Sequence, residues 1–112
     1  MTIPAEGYLL RIFIGESDRH GHRPLYESIV LQAREAGLAG ATVLRGVMGF
    51  GKHSILHTAK ILRLSEDMPM IIEIVDSLDK IEKFLPVLDE LIKDGLVTIE
   101  KVKVIHYRAG HP

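Results

Sequence analysis

The chain has 112 residues, 46% of them hydrophobic and 26% charged, with 14 Lys+Arg against 15 Asp+Glu, no Cys and no Trp. That balance predicts a single folded domain over residues 1–112 and excludes a disordered chain, a disulfide framework, a thiolate metal site and a thiol nucleophile. A net charge of -1 argues against a dedicated nucleic-acid binder, which carries a clear basic excess.

Residues 8–14 form a β-rich apolar run closed by Gly15, the pattern of a buried strand. A polar, turn-forming stretch over 16–23 follows, and Pro24 suits the first position of a helix, where its missing N–H costs nothing. Leu25, Ile29, Ala33 and Ala36 recur at helical spacing and Gly37 suits the position just past the helix end, which predicts a helix over 24–36. A second strand is predicted over 41–47, then a long loop or hairpin tip over 46–58, and a strand over 59–64. The third main strand is predicted over 70–75. Ser77 is a good N-cap for a helix over 78–94 with apolar positions at Leu78, Ile81, Leu85, Leu88 and Ile92, which Pro86 should kink or split. Gly95 is expected to end it. The last strand is predicted over 96–107, with a bulge near Glu100 and Lys101, because its apolar phase changes between Val97, Ile99 and Val102, Val104.

The order β-α-β-β-α-β predicts an α+β, ferredoxin-like sandwich: an antiparallel sheet with both helices on one face. The strands are apolar on both faces, as Leu9 and Phe13 show beside Leu10, Ile12 and Ile14. The second face therefore needs a cover, and a second subunit supplies it at least cost, so a homo-oligomer is expected. Residues 1–6 hold no basic stretch leading an apolar one, and no apolar run approaches the ~20 residues of a membrane span. The expectation is a cytoplasmic protein with no membrane insertion.

Charge is unevenly placed. Residues 45–63 carry Arg45, Lys52, Lys60 and Arg63 and no acid, whereas 64–94 carry nine acids against three cations. A basic, glycine-rich segment of this kind suits a small anion. Within it, Gly46-Val-Met-Gly-Phe-Gly51-Lys52 has the spacing of a phosphate-binding P-loop as far as the lysine, but His53 stands where Ser or Thr should hold Mg²⁺. Glycine amides with Arg45 and Lys52 still suit an anion-binding nest, and an ordinary charged hairpin fits the same residues. His53 and His57, four apart, and His20 and His22, two apart, are alternative metal ligands without a third partner at matching spacing. Glu16, Asp18 and Arg19 suit either a solvated turn or contacts to a ligand or a neighbour's basic loop. Glu73 and Asp76 are expected to pair with Arg45 or Arg63. His106 is expected to be a packed or interface residue of the last strand, and Lys101 and Lys103, on one strand face, call for a counter-ion. No nucleophile–base constellation is legible, so nothing points to an enzyme.

Five stretches carry a resemblance: residues 15–26, 43–51, 64–69, 73–76 and 95–98. Together they resemble the prokaryotic family called domain of unknown function 190, grouped with the PII-like signalling proteins, over nearly the whole chain. The resemblance implies a ferredoxin-like protomer in a PII-like homotrimer, with a nucleotide held in clefts between subunits. The regions it points to are 45–51, Asp94-Gly95 and Lys101 with Lys103; the glycine-rich extension that PII proteins carry before the last strand is absent, as is a tyrosine on the long loop. The ligand-binding set expected is Arg45, Gly46, Gly49, Phe50, Gly51, Lys52, Gly95, Lys101 and Lys103. The ligand expected is a small anionic metabolite, an adenine nucleotide above all, with the 46–58 loop engaging a regulated partner protein. The alternative is a metal-binding trimer of related architecture using His53 and His57.

Overall fold

The computed structural model describes residues 5–50 and 67–109. In chain order the elements are β1 (Glu6–Gly15), β2 (Arg19–His20), β3 (Arg23–Pro24), α1 (Leu25–Glu35), β4 (Thr42–Arg45), β5 (Pro69–Asp76), α2 (Leu78–Leu91) and β6 (Leu96–Lys103). Four of the strands form one antiparallel sheet in the order β4-β5-β1-β6. This is the ferredoxin-like arrangement expected from the element order. The predicted strand over 59–64 and positions 51–58 of the loop lie outside the described residues.

Alternation along the central strands decides which side chains meet the helices. Leu10, Ile12 and Ile14 of β1 and Met70, Ile72 and Ile74 of β5 are buried on one face. Over them lie Leu25, Ile29 and Ala33 of α1, with Ile81, Phe84, Leu88 and Leu91 of α2. Each such aliphatic side chain contributes about 1.5–3 kcal/mol through burial, which makes this layer the main source of stability.

Local signals place the helix ends. Pro24 stands at the N-cap of α1 in an extended conformation (φ -55°, ψ 137°), one position ahead of the expected place. At the other end the N–H of Gly37 donates to Arg34 O (3.1 Å) and that of Leu38 to Ala33 O (3.2 Å), with Gly37 at φ 77°. That pair of bonds is a Schellman cap, which needs a left-handed residue and so favours glycine. Ser77 caps α2, its Oγ accepting from the Lys80 N–H at 3.4 Å. Lys80 Nζ in turn donates to the Gly37 carbonyl (3.2 Å) and joins the two helix ends.

Three expectations are corrected. Helix α2 runs through Pro86 as one element rather than two; Pro86 and Glu82 are both exposed, so the carbonyl denied its N–H lies on the watered side. Its buried stripe is Ile81, Phe84, Leu88 and Leu91, while Leu78 and Leu85 face outward. Strand β6 has no bulge: it pairs with β1 in constant register from Leu96 opposite Phe13 to Lys103 opposite Glu6, and ends before His106. The change of apolar phase reflects a change in which face offers apolar neighbours. Ile99 lies opposite Leu10 on the helix side, and Val102 lies opposite Gly7 on the other.

Candidate functional site

The face of the sheet without helices carries Leu9, Arg11 and Phe13 of β1, Ile71, Glu73 and Val75 of β5, and Leu44 of β4. Polar groups cross its middle. Arg11 Nε donates to Glu73 Oε2 at 2.9 Å, and its Nη1 reaches Glu100 Oε1 at 3.5 Å. Glu73 therefore pairs with Arg11 rather than with Arg45 as the sequence suggested, and Arg63 lies outside the described residues. Asp76 pairs with no cation among the described residues, which do not include Arg63; it is fully buried and accepts from the N–H groups of Ala39 (2.8 Å) and Ser77 (2.7 Å). A carboxylate with two backbone donors satisfies the loop that leads into β4 without a counter-charge. Beyond β6, residues 104–107 and the strand β4 approach wall an open groove of about 830 Å³, floored by Leu9, Arg11, Glu73 and Val75. His106 is an exposed part of that wall rather than a strand residue.

Arg45 closes β4 at the opposite end of the sheet. It grips Glu16 in a two-point fork, Nε to Oε2 at 2.9 Å and Nη2 to Oε1 at 3.1 Å. Glu16 is itself fixed by its N–H, which donates to the Met68 carbonyl at 2.8 Å, and Ser17 N–H donates to Asp67 Oδ1 at 3.0 Å. Arg45's donors hold the Glu16 carboxyl below the usual glutamate range, and Glu16 raises the guanidinium above its own. Glu16 thus serves a cation of its own chain. The next residue, Gly46, donates to the Pro69 carbonyl at 2.7 Å, and a Cβ there would lie 2.6 Å from Pro69 Cγ. Glycine is needed at Gly46 for this close approach. Beyond it Val47 (89% exposed), Met48 and Phe50 (72%) stand in solvent.

The remaining candidates fall elsewhere. Gly95 sits at the same end of the sheet but on the other edge, where a Cβ would meet the Phe13 carbonyl at 2.8 Å, so packing requires glycine there. Lys101 finds its counter-ion in Glu6 (3.2 Å), whose hydrogen bond raises the ammonium pKa. Lys103 lies opposite Glu6 in the ladder. Arg45 is level with Ile14 and Lys101 and Lys103 with Tyr8 and Glu6, a separation of roughly 20–27 Å at ~3.3 Å per residue. One chain therefore gathers Arg45, Gly46, Gly49 and Phe50 but leaves the two lysines far off. Gly51, Lys52, His53 and His57 lie outside the described residues. Among the described residues no group of three His, Cys, Asp or Glu side chains suits a metal ion, and no helix is long and apolar enough to cross a membrane.

Three contacts were not foreseen: Arg11 with Glu73 and Glu100, Glu16 with Arg45, and the backbone bonds of Asp76. The partners are 29 to 89 residues apart in the first two cases, beyond any local pattern. An acid directly after an apolar strand, as Glu16 is, was the one available signal.

Comparison with known proteins bears on the whole fold. The model of the family DUF190, described as Uncharacterized ACR, COG1993, matches residues 7–104. A UPF0166 protein of Aquifex aeolicus is 40% identical over 101 residues, covering 88% of this chain and 92% of its own. UPF0166 protein MJ1524 of Methanocaldococcus jannaschii is 37% identical, covering 81% and 84%. Among solved structures, CPII of Thiomonas intermedia K12, a nitrogen regulatory PII-like protein, superposes with a TM-score of 0.58 at 17% identity and covers 90% of each chain. That structure holds ADP, AMP and acetate.

Proposed function

This chain belongs to the DUF190 family, and on that premise we propose that it is a PII-like trimeric regulator that binds a small anionic metabolite, an adenine nucleotide above all, in clefts between subunits. The observation that carries the reading is the division of the candidate groups. Arg45 with Gly46 lies at one end and edge of the sheet, and Lys101 with Lys103 lies at the other. Such a set closes round one small ligand only across a subunit boundary. The half-buried apolar face supports the same arrangement, since among the described residues no helix lies above Leu9, Phe13, Ile71 and Val75 and a second subunit would remove them from water. The ADP and AMP held by CPII support the class of ligand.

In this reading Arg45 exchanges Glu16 for a ligand phosphate. The fork that holds a carboxylate matches a phosphate equally well. Release of Glu16 uncouples the start of the 46–58 segment from the turn after β1, and that segment, with exposed Phe50, contacts a partner protein. The coupling needed is modest: about 1–3 kcal/mol of differential affinity shifts the two states usefully. The test is differential scanning fluorimetry with AMP, ADP, ATP and divalent ions, alongside sedimentation. A saturable rise in Tm with an adenine nucleotide, lost in Arg45→Gln while sedimentation stays trimeric, is the expected result. Unchanged binding in Arg45→Gln would put the site elsewhere, and a monomer at micromolar concentration would end the trimer reading.

A further inference from the structure

Four basic residues lie within five positions on the short hairpin between β1 and α1: Arg19, His20, His22 and Arg23. The ladder of β2 and β3 sets His20 directly opposite Arg23, and Gly21, at φ 64°, turns the chain back between them. Facing bases across a two-stranded ladder repel when the imidazole is charged and gain nothing when it is not. The acids along this stretch are used elsewhere. Glu16 grips Arg45, and Asp18 Oδ2 accepts from the Gly15 N–H at 3.0 Å. Glu27, on the first turn of α1, makes no ion pair among the described residues, and neither do Arg19 and Arg23.

The hairpin is nonetheless anchored. The Leu25 N–H donates to the Asp18 carbonyl at 2.8 Å, closing the base of the loop as a fixed ring. Between its basic side chains lies a depression of about 410 Å³ lined by His20, His22, Arg23 and Ser28, and Ser28 is buried. Two histidines, an arginine and a serine thus line one space. Their shared chemistry is donation: each can give a hydrogen bond to an oxyanion, and the guanidinium gives two in parallel. Among the described residues these groups lack the third acidic or imidazole ligand that a metal would need.

We propose that the hairpin depression formed by His20, His22 and Arg23 over Ser28 is a binding site for a phosphoryl dianion, separate from Arg45. The source is either free phosphate or the phosphoryl end of a larger metabolite, and the chemistry is the same. The site stands whether or not Arg45 binds a nucleotide.

The test follows the backbone amides of Gly21, His22 and Arg23 by ¹H–¹⁵N NMR as the full chain is titrated with inorganic phosphate, AMP, adenosine or zinc. Saturable shifts with phosphate or AMP, and none with adenosine, are expected. Apparent Kd should rise about tenfold or more in Arg23→Gln, the scale of one charge-assisted hydrogen bond, and further in His20→Gln/Arg23→Gln. These exposed substitutions should leave the remaining amide spectrum unchanged, so loss of binding is not loss of fold. Shifts with phosphate assign the site to free phosphate; shifts with AMP alone assign it to a phosphorylated metabolite. Arg45→Gln separates the two sites, since hairpin shifts that persist in it support the proposal. Shifts that vanish in Arg45→Gln, that appear with zinc alone, that are equal in Arg23→Gln, or that are absent with both phosphate and AMP up to ~10 mM (weaker than the millimolar range) would overturn it.

Discussion

The two faces of the sheet are made by the same residues' alternation, yet they have opposite chemistry. On the helix side, Leu10, Ile12, Ile72 and Ile74 are essentially inaccessible, and the buried acid Asp76 accepts from two backbone N–H groups. On the other side the apolar residues are only half-buried, and Arg11 holds Glu73 and Glu100 across the strands. The difference teaches how a face announces its cover. A face closed within one chain excludes charge almost completely, because an unpaired buried charge costs several kcal/mol. A face that keeps a paired cation among aliphatic side chains tolerates both water and a second surface.

The comparison breaks most visibly at its covered side. Ile72→Ala should cost about 2–5 kcal/mol, the sum of lost burial and an unfilled cavity, read from the urea midpoint at unchanged slope. Asp76→Ala should come next, at about 1–3 kcal/mol, because the Ala39 and Ser77 N–H groups lose a buried acceptor. The open face should respond differently. Arg11 and Glu73 side chains are 35% and 30% exposed, so Arg11→Gln should cost under ~1 kcal/mol in the subunit itself. Its larger effect should appear in sedimentation, as self-association that weakens; equal association in the variant would separate this face from the assembly.

The smallest effect concerns an acid on neither face. Glu16 has a folded pKa depressed by Arg45, so its contribution is present above its unfolded value and lost as pH falls through the folded one. Carboxyl ¹³C titration should therefore place Glu16 below the ordinary glutamate range. In Arg45→Gln it should return to that range.

Much of the fold was legible because its signals are local. Gly37 after Ala33 and Ala36 marks a left-handed helix stop, Ser77 ahead of Leu78 marks a cap, and both stand where the spacing put them. The buried stripe of α2 was misread at Leu78 and Leu85, since several leucines fit a helical period and only the neighbouring sheet selects among them. The candidate site was legible in type and not in partnership. Arg45 and Lys101 were recognisable as cations needing an anion, but Glu16 and Glu6 reach them through strand pairings that no spacing records. Likewise no local pattern shows that Pro69 and the Phe13 carbonyl come close enough to Gly46 and Gly95 to require glycine there.

By itself the sequence determined the order of the sheet strands β1, β4, β5 and β6 and of the two helices, the helix ends and the surplus of apolar strand surface, though not the short β2–β3 hairpin, because backbone preference and side-chain period act over a few residues. Only the tertiary structure decided that Glu73 serves Arg11, that Asp76 serves the backbone, and that β6 passes without a bulge from one face's demand to the other's. Each of those depends on register across strands. Register is set by the summed burial of every side chain in the sheet, and no segment carries that sum alone.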